Sequence, residues 1–487
     1  MRILFAASEG LPFGKTGGLA DVIAGLPRTL VEQGHEVAVV LPRYRGVKAD
    51  TAAASRLSIS LGGQTRSPAL VDGEIVRGVQ YFLLDDPAYF DRAQIYGENG
   101  DYPDNAERFA ELSLAAIEVA KAIWRPDVFH CHDWQTGLVP LFLRTRHAGD
   151  PQVKNIPVVF TIHNIGYQGV ISREAAGRAG VPESAFHSGG IEFYGSANLL
   201  KAGLVYSDYL TTVSPRYATE IQTPEYGRGL DGVVRERAGL LRGILNGVDY
   251  SIWNPETDKH VVAHYSRDSF IGKAACKQDL LKTFGLPLPE GRRALVGIVS
   301  RFADQKGFDL IAEVAQRLMS EELSLVVLGT GDRRYEELFR ALAAHFPDRA
   351  AVRVAYDNAL AHKVEAGADI FLMPSRYEPC GLNQIYSLRY GTVPVVRATG
   401  GLDDTIEEFD LTRGSGTGFK FGNYAGKDML DCVRRALHYY QDATVWRVIQ
   451  RNGMAKDFSW KASAAEYGKL YAAVKAGRNQ MPVATSN

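Results

Sequence analysis

From its second residue onward the 487-residue chain alternates short apolar runs with helix-patterned segments, almost to its end. In the first half the runs are residues 2–7, 37–41, 128–131, 158–162, 210–213 and 240–245. In the second half they are 294–300, 325–328, 352–354, 370–373 and 393–396. Most run apolar on both faces rather than alternating, so each strand needs cover on both sides. Segments 19–33, 107–123, 310–318 and 335–345 carry helical periodicity between them and supply that cover. The pattern restricts the chain to an α/β class with doubly wound parallel sheets, whose ligands bind where strands end.

Two features interrupt the alternation. Residues 55–85 hold shorter alternating runs (56–61, 69–71 and 78–84), which read as a hairpin-type insertion. Residues 246–291 are poor in strand pattern, contain Pro255, Pro287 and Pro289, and separate two βα series of similar size. They read as an inter-domain connection. Lys and Arg number 55 against 56 Asp and Glu, a net charge of −1, so no global positive field exists to hold nucleic acid or an anionic membrane. No run approaches the length of a membrane span, and the N-terminus lacks the pattern of a cleaved signal peptide. Cys131, Cys276, Cys380 and Cys432 show no CxxC spacing, which fits a reducing compartment. A soluble, cytoplasmic, multidomain α/β protein is the expectation.

The segment from Gly10 to Gly18 follows a strand and opens a helix, inviting a phosphate-loop reading. The Walker spacing is Gly-x4-Gly-Lys-Ser/Thr, whereas here Glu9 occupies the first glycine's place and a Pro lies inside the loop. A nucleotide hydrolase is therefore disfavoured, although glycines and Lys15 before a helix still suit a phosphate. His130 and His132 lie on one strand face without an identifiable third ligand, so strand-end residues lining a cleft are favoured over a metal site. Asp133 and Trp134, just beyond, look like a sugar-binding pair. Thr161-Ile162-His163-Asn164 repeats the theme at the next strand end.

In the second half Arg301 and Lys306 flank a turn, and two cations there would suit a diphosphate. Glu378 precedes a turn containing Pro379 and Gly381, and Gly400-Gly401 is a second glycine pair between strand and helix. No Asp-x-Asp occurs, so a metal held by that motif is unsupported.

Together KTGGLADV (15–22), HDW (132–134), TIHN (161–164), NGVD (246–249), SRFADQKG (300–307), EPCGLNQ (378–384) and TGGLDDT (399–405) resemble the bacterial glycogen synthases and plastid starch synthases, over essentially the whole chain. The resemblance implies a GT-B fold, two Rossmann-like doubly wound domains facing across a deep cleft. It implies an N-terminal acceptor-side domain at 1–245, a nucleotide-sugar domain at 246–456, and a C-terminal helix at 457–487 returning to the first. The implied activity moves glucose from ADP-glucose to the non-reducing end of an α-1,4-glucan such as glycogen, with retention and release of ADP. Lys15 and Gly18 would approach the donor, and Arg301 and Lys306 would neutralise departing ADP. The Gly400-Gly401-Leu402 turn, with Thr405 in the same motif, would offer N–H groups. His163, Asn246 and Glu378 would hold the transferred glucose, and Tyr96, Asp133 and Trp134 would lie near the acceptor. No metal or other cofactor is expected. Neither is a nucleic-acid or membrane partner.

Breaking a glycosyl–phosphate bond leaves an oxocarbenium-like centre and a diphosphate, so electrostatic stabilisation of the leaving group is the largest lever. Retaining glycosidases use two carboxyls about 5 Å apart. Some related retaining transferases carry a second Glu eight residues after Glu378, where this chain has Tyr386. Same-face attack assisted by the leaving phosphate is favoured, with Glu378 positioning or stabilising; a covalent glycosyl-enzyme on Glu378 stays open. The residues also leave ADP-glucose and UDP-glucose open, since contacts to the base are expected from main chain and stacking. Domain closure, with hinges in 246–291 and near Asp457, is expected to exclude water.

Overall fold

The computed structural model describes residues 1–49, 54–73, 75–98 and 100–477. The chain forms two compact units, one of Met1–Gly247 with Trp460–Asn487, the other of Val248–Ser459.

In the first unit a nine-stranded sheet runs in the order Leu241–Gly243, Tyr209–Thr212, Val158–Ile162, Val128–His132, Arg2–Ala6, Glu36–Pro42, Gln80–Asp85, Ala69–Asp72, Ser55–Arg56. The first seven are parallel and the last two add antiparallel. Strand order reverses between Arg2–Ala6 and Val128–His132, so the crevice of this sheet lies where their following loops part. Run 78–84 was expected inside a hairpin insertion. Instead Gln80–Asp85 is a parallel strand beside Glu36–Pro42, because Tyr81, Phe82, Leu83 and Leu84 are all buried. Helix Trp460–Lys475 joins the core under helix Gly18–Glu32 through Trp460, Tyr467, Leu470 and Tyr471.

The second unit holds six parallel strands in the order Ala350–Val354, Leu323–Gly329, Ala294–Val299, Ile370–Met373, Val393–Arg397, Phe419–Phe421. Alternate residues feed two layers. Val296, Ile298, Val327 and Leu372 face one apolar cluster, while Leu295, Val326, Leu328 and Phe371 face another. Both-face burial is thus the physical origin of the unbroken apolar runs. The reversal point falls between Ala294–Val299 and Ile370–Met373, whose following loops carry Arg301, Lys306 and Glu378.

Segment 246–291 is more than a connection. It contains helix Ile271–Phe284, which buries Leu280, Leu281 and Phe284 in the second unit. Lys273 on this helix is buried too, donating to the carbonyls of Ala366 and Tyr390 (3.0 Å each) and to Thr392 Oγ1 (2.7 Å). A buried lysine on the inner face hides the helix's apolar stripe from a periodicity reading.

Candidate functional site

In the first unit, Glu9 organises the loop after the first strand. The N–H and hydroxyl of Thr16 both donate to its carboxylate, the hydroxyl at 2.8 Å, while Gly10 and Gly14 exchange backbone bonds of 3.0 Å. Burial raises the Glu9 pKa, opposed by the bonds from Thr16 and Gly17. Lys15 is about one-third exposed and pairs with Asp21 at 2.7 Å. Gly17, without a side-chain cap, leads into Gly18 at the start of helix Gly18–Glu32. The Tyr96 hydroxyl shares a 2.8 Å bond with Ser8 Oγ, and the Tyr44 hydroxyl donates to the Ser8 carbonyl at 2.6 Å.

Asp133 ends strand Val128–His132 with φ of 54°, a strained value for a non-glycine residue. Its Oδ1 accepts the His163 backbone N–H at 2.7 Å, tying two neighbouring strand ends together. Burial pushes the Asp133 carboxyl up to about 7, against the N–H groups of His163 and Asn164, with a smaller upward contribution from Glu9. His163 Nε2 lies 2.9 Å from His132 Nδ1, and burial pushes its pKa down to about 3. His130 shares bonds with Thr161 Oγ1 (2.6 Å) and the Tyr471 hydroxyl (2.7 Å). Asn246 is buried with its Oδ1 lacking a hydrogen-bond partner among the described residues.

Trp134 departs from expectation. It is 7% exposed, set edge-on against Phe109 at 5.1 Å, and a Cβ at Gly169 would strike its ring. An aromatic face covered this way packs the core and has no room for a pyranose.

In the second unit, Lys306 Nζ meets Glu378 Oε2 at 2.7 Å, and Ser375 Oγ donates to the same oxygen at 2.9 Å. The Glu378 side chain is 7% exposed, so its charge is compensated inside the protein. Gly307, with φ of 71°, lets the Lys306 turn approach the Pro374 carbonyl, where a Cβ would collide. Arg301 is exposed just past strand Ala294–Val299. Cys380 is buried.

The glycine pair also corrects an expectation. The Gly401 N–H donates to the Glu378 carbonyl at 3.0 Å and the Leu402 N–H to Thr399 at 3.1 Å, so these two donors turn inward. Leu402 and Thr405 are buried, the latter donating to the Gly401 carbonyl at 2.6 Å. A Cβ at Gly400 would collide with the Glu378 carbonyl. The pair is small so that it can close against the segment carrying Glu378. Tyr386 stacks on Trp253 at 4.0 Å, a packing role. Ser375 was not singled out from sequence, since a lone Ser after a strand carries no spacing signal, and Glu9 was noted only as a departure from the Walker spacing. Among the described residues no group of three or more His, Cys, Asp or Glu is placed to hold a metal ion.

Residues 286–449 match the family model of glycosyl transferases group 1, and residues 2–236 match that of the starch synthase catalytic domain. Sucrose-phosphate synthase from Thermosynechococcus elongatus shares the fold alone, at TM-score 0.62 and 19% identity over 98% of this chain and 99% of that one. The class is a glycosyltransferase of GT-B fold, built from two Rossmann-like domains. The glycogen synthase of Koribacter versatilis (strain Ellin345) is 57% identical over 486 residues, covering 99% of this chain and all of that protein. That of Anaeromyxobacter sp. (strain Fw109-5) is 49% identical over 477 residues, 98% and 100% of the two chains. The catalytic domain of starch synthase IV from Arabidopsis thaliana, bound to ADP and acarbose, matches at TM-score 0.88 and 32% identity, covering 97% of this chain and 99% of that one. The chain belongs to the glycogen and starch synthase family.

Proposed function

We propose that the protein transfers glucose from ADP-glucose to the non-reducing end of an α-1,4-glucan with retention, releasing ADP, in the cytoplasm and without a metal. The observation that carries this reading is the Lys306–Glu378–Ser375 cluster at the reversal point of a parallel sheet, with Arg301 on the adjoining loop. Oligosaccharide and ADP bound to the starch synthase IV relative favour the same substrate classes.

Arg301 and Lys306 stabilise the diphosphate as it departs, and Lys15 and Gly18 hold the donor from a helix N-terminus. His163, Asn246 and Glu378 hold the transferred glucose. Gly400, Gly401, Leu402 and Thr405 shape the turn that carries Glu378. Tyr96 and Asp133 stand on the acceptor side, with Trp134 packed behind them. Both bonds fall on Glu378 Oε2 and occupy that oxygen's lone pairs, which favours electrostatic stabilisation over nucleophilic attack. The acceptor hydroxyl then attacks from the face the diphosphate leaves, and its proton passes to the departing phosphate.

Labelled ADP-glucose or UDP-glucose is supplied with glycogen, with and without chelator, and polymer label and free nucleotide are measured. Polymer label from ADP-glucose that survives chelation is expected. No label from either donor sinks the reading, and loss in chelator overturns the metal-free mechanism.

A further inference from the structure

We propose that His132 is a positioning residue that fixes the tautomer of His163, so that His163 keeps its proton on Nδ1 and offers that N–H as a donor. The inference deepens the proposed function and rests on its reading of His163 as a substrate-facing group.

His132 Nδ1 and His163 Nε2 are 2.9 Å apart, so one carries the proton and the other accepts it. The second nitrogen of His132 decides which. Among the described residues His132 Nε2 is buried without a hydrogen-bond partner, in a ring stacked on Phe5 at 5.5 Å and 4.1 Å from the His130 ring. A proton on that nitrogen would be an orphaned buried N–H, the rarer and costlier kind of unpaired group; a bare lone pair there is tolerated better. The His132 proton therefore sits on Nδ1 and donates to His163 Nε2. With Nε2 accepting, neutral His163 must carry its own proton on Nδ1.

Both rings are anchored for this. The His132 N–H donates to Thr136 Oγ1 at 2.7 Å, and the Thr136 hydroxyl returns a bond to the His132 carbonyl at 2.9 Å. The His163 N–H is held by Asp133. Burial keeps both imidazoles neutral, and the adjacent histidines push His132 further down. A fixed Nδ1–H is a donor to a sugar oxygen; the opposite tautomer would present a lone pair there instead.

The test is long-range 1H–15N correlation on the full chain labelled at histidine, with H132N and H132L variants. The expected wild-type result is a protonated Nδ1 and bare Nε2 on His163. A His163 protonated on Nε2 overturns the inference. Asn retains a donor near the position of Nδ1 and Leu does not. H132L is thus expected to release the His163 tautomer and to lose roughly 10-fold or more of kcat/KM, the scale of losing an orienting partner. H132N is expected to recover most of it. Equal losses in both variants with an unchanged His163 tautomer overturn the positioning role. Full activity in H163A overturns it by removing the reading beneath it, and is recognisable because the tautomer signature of the wild type would stand.

Discussion

Glu378 is a nearly buried carboxylate whose charge is met by one lysine and one hydroxyl, so Lys306 answers two demands at once. It compensates a buried anion, and on the proposed mechanism it stabilises departing diphosphate. A double substitution separates the two. Lys306→Ala should lower kcat by about 10²–10³, equivalent to about 3–4 kcal/mol of leaving-group stabilisation, and should also lower Tm because the carboxylate is stranded. Lys306→Ala with Glu378→Gln should regain Tm and stay inactive. Full activity in the single variant would remove Lys306 from the reaction. Asp133 gives a pH signature. Its folded pKa, about 7, lies above the unfolded value of 3.8, so its contribution to stability is complete below the unfolded value and fades as pH rises through 7. Asp133→Asn should flatten that part of the Tm-versus-pH curve between pH 4 and 8. An unchanged slope would place the titration elsewhere.

Elements were legible where burial is two-sided. Strands such as Val158–Ile162 and Ile370–Met373 are buried at every position because both faces are covered, and their apolar runs alone find them. Legibility failed where one buried polar residue or a short edge broke the pattern. Lys273 concealed helix Ile271–Phe284, and Phe419–Phe421, three residues at a sheet edge with Lys420 in the middle, gave no run to detect. The positions of Lys306, Glu378 and His163 on loops that follow strands were legible, because their motifs come directly after apolar runs. Trp134 misled because aromatic chemistry cannot be separated from packing without knowing what covers the ring. Helix packing supplies a further expectation. A Cβ at Gly25 in helix Gly18–Glu32 would fall within the indole of Trp460. Helix propensity alone favours alanine by about 1 kcal/mol, while overpacking costs about 1–3 kcal/mol. Gly25→Ala should therefore lower Tm by thermal denaturation; a rise would mean that helix Trp460–Lys475 yields without cost.

At the scale of the molecule the two units differ in how the chain closes them. Val248–Ser459 is continuous, with its six-stranded sheet and both covering layers inside one stretch of sequence. The other unit is closed by a distant piece, since Trp460, Tyr467, Leu470 and Tyr471 fill the core beside Phe5, Ile23 and Leu26, and Tyr471 hydrogen-bonds buried His130. Without that helix a large apolar face and a buried histidine lose their cover. Fragment 248–459 expressed alone should unfold cooperatively in denaturant. Fragment 1–247 alone should aggregate or bind a hydrophobic dye, and should gain a cooperative transition when residues 460–477 are fused to its end through a flexible linker. A cooperative transition in 1–247 without the helix would show that the C-terminal segment only decorates a core already complete.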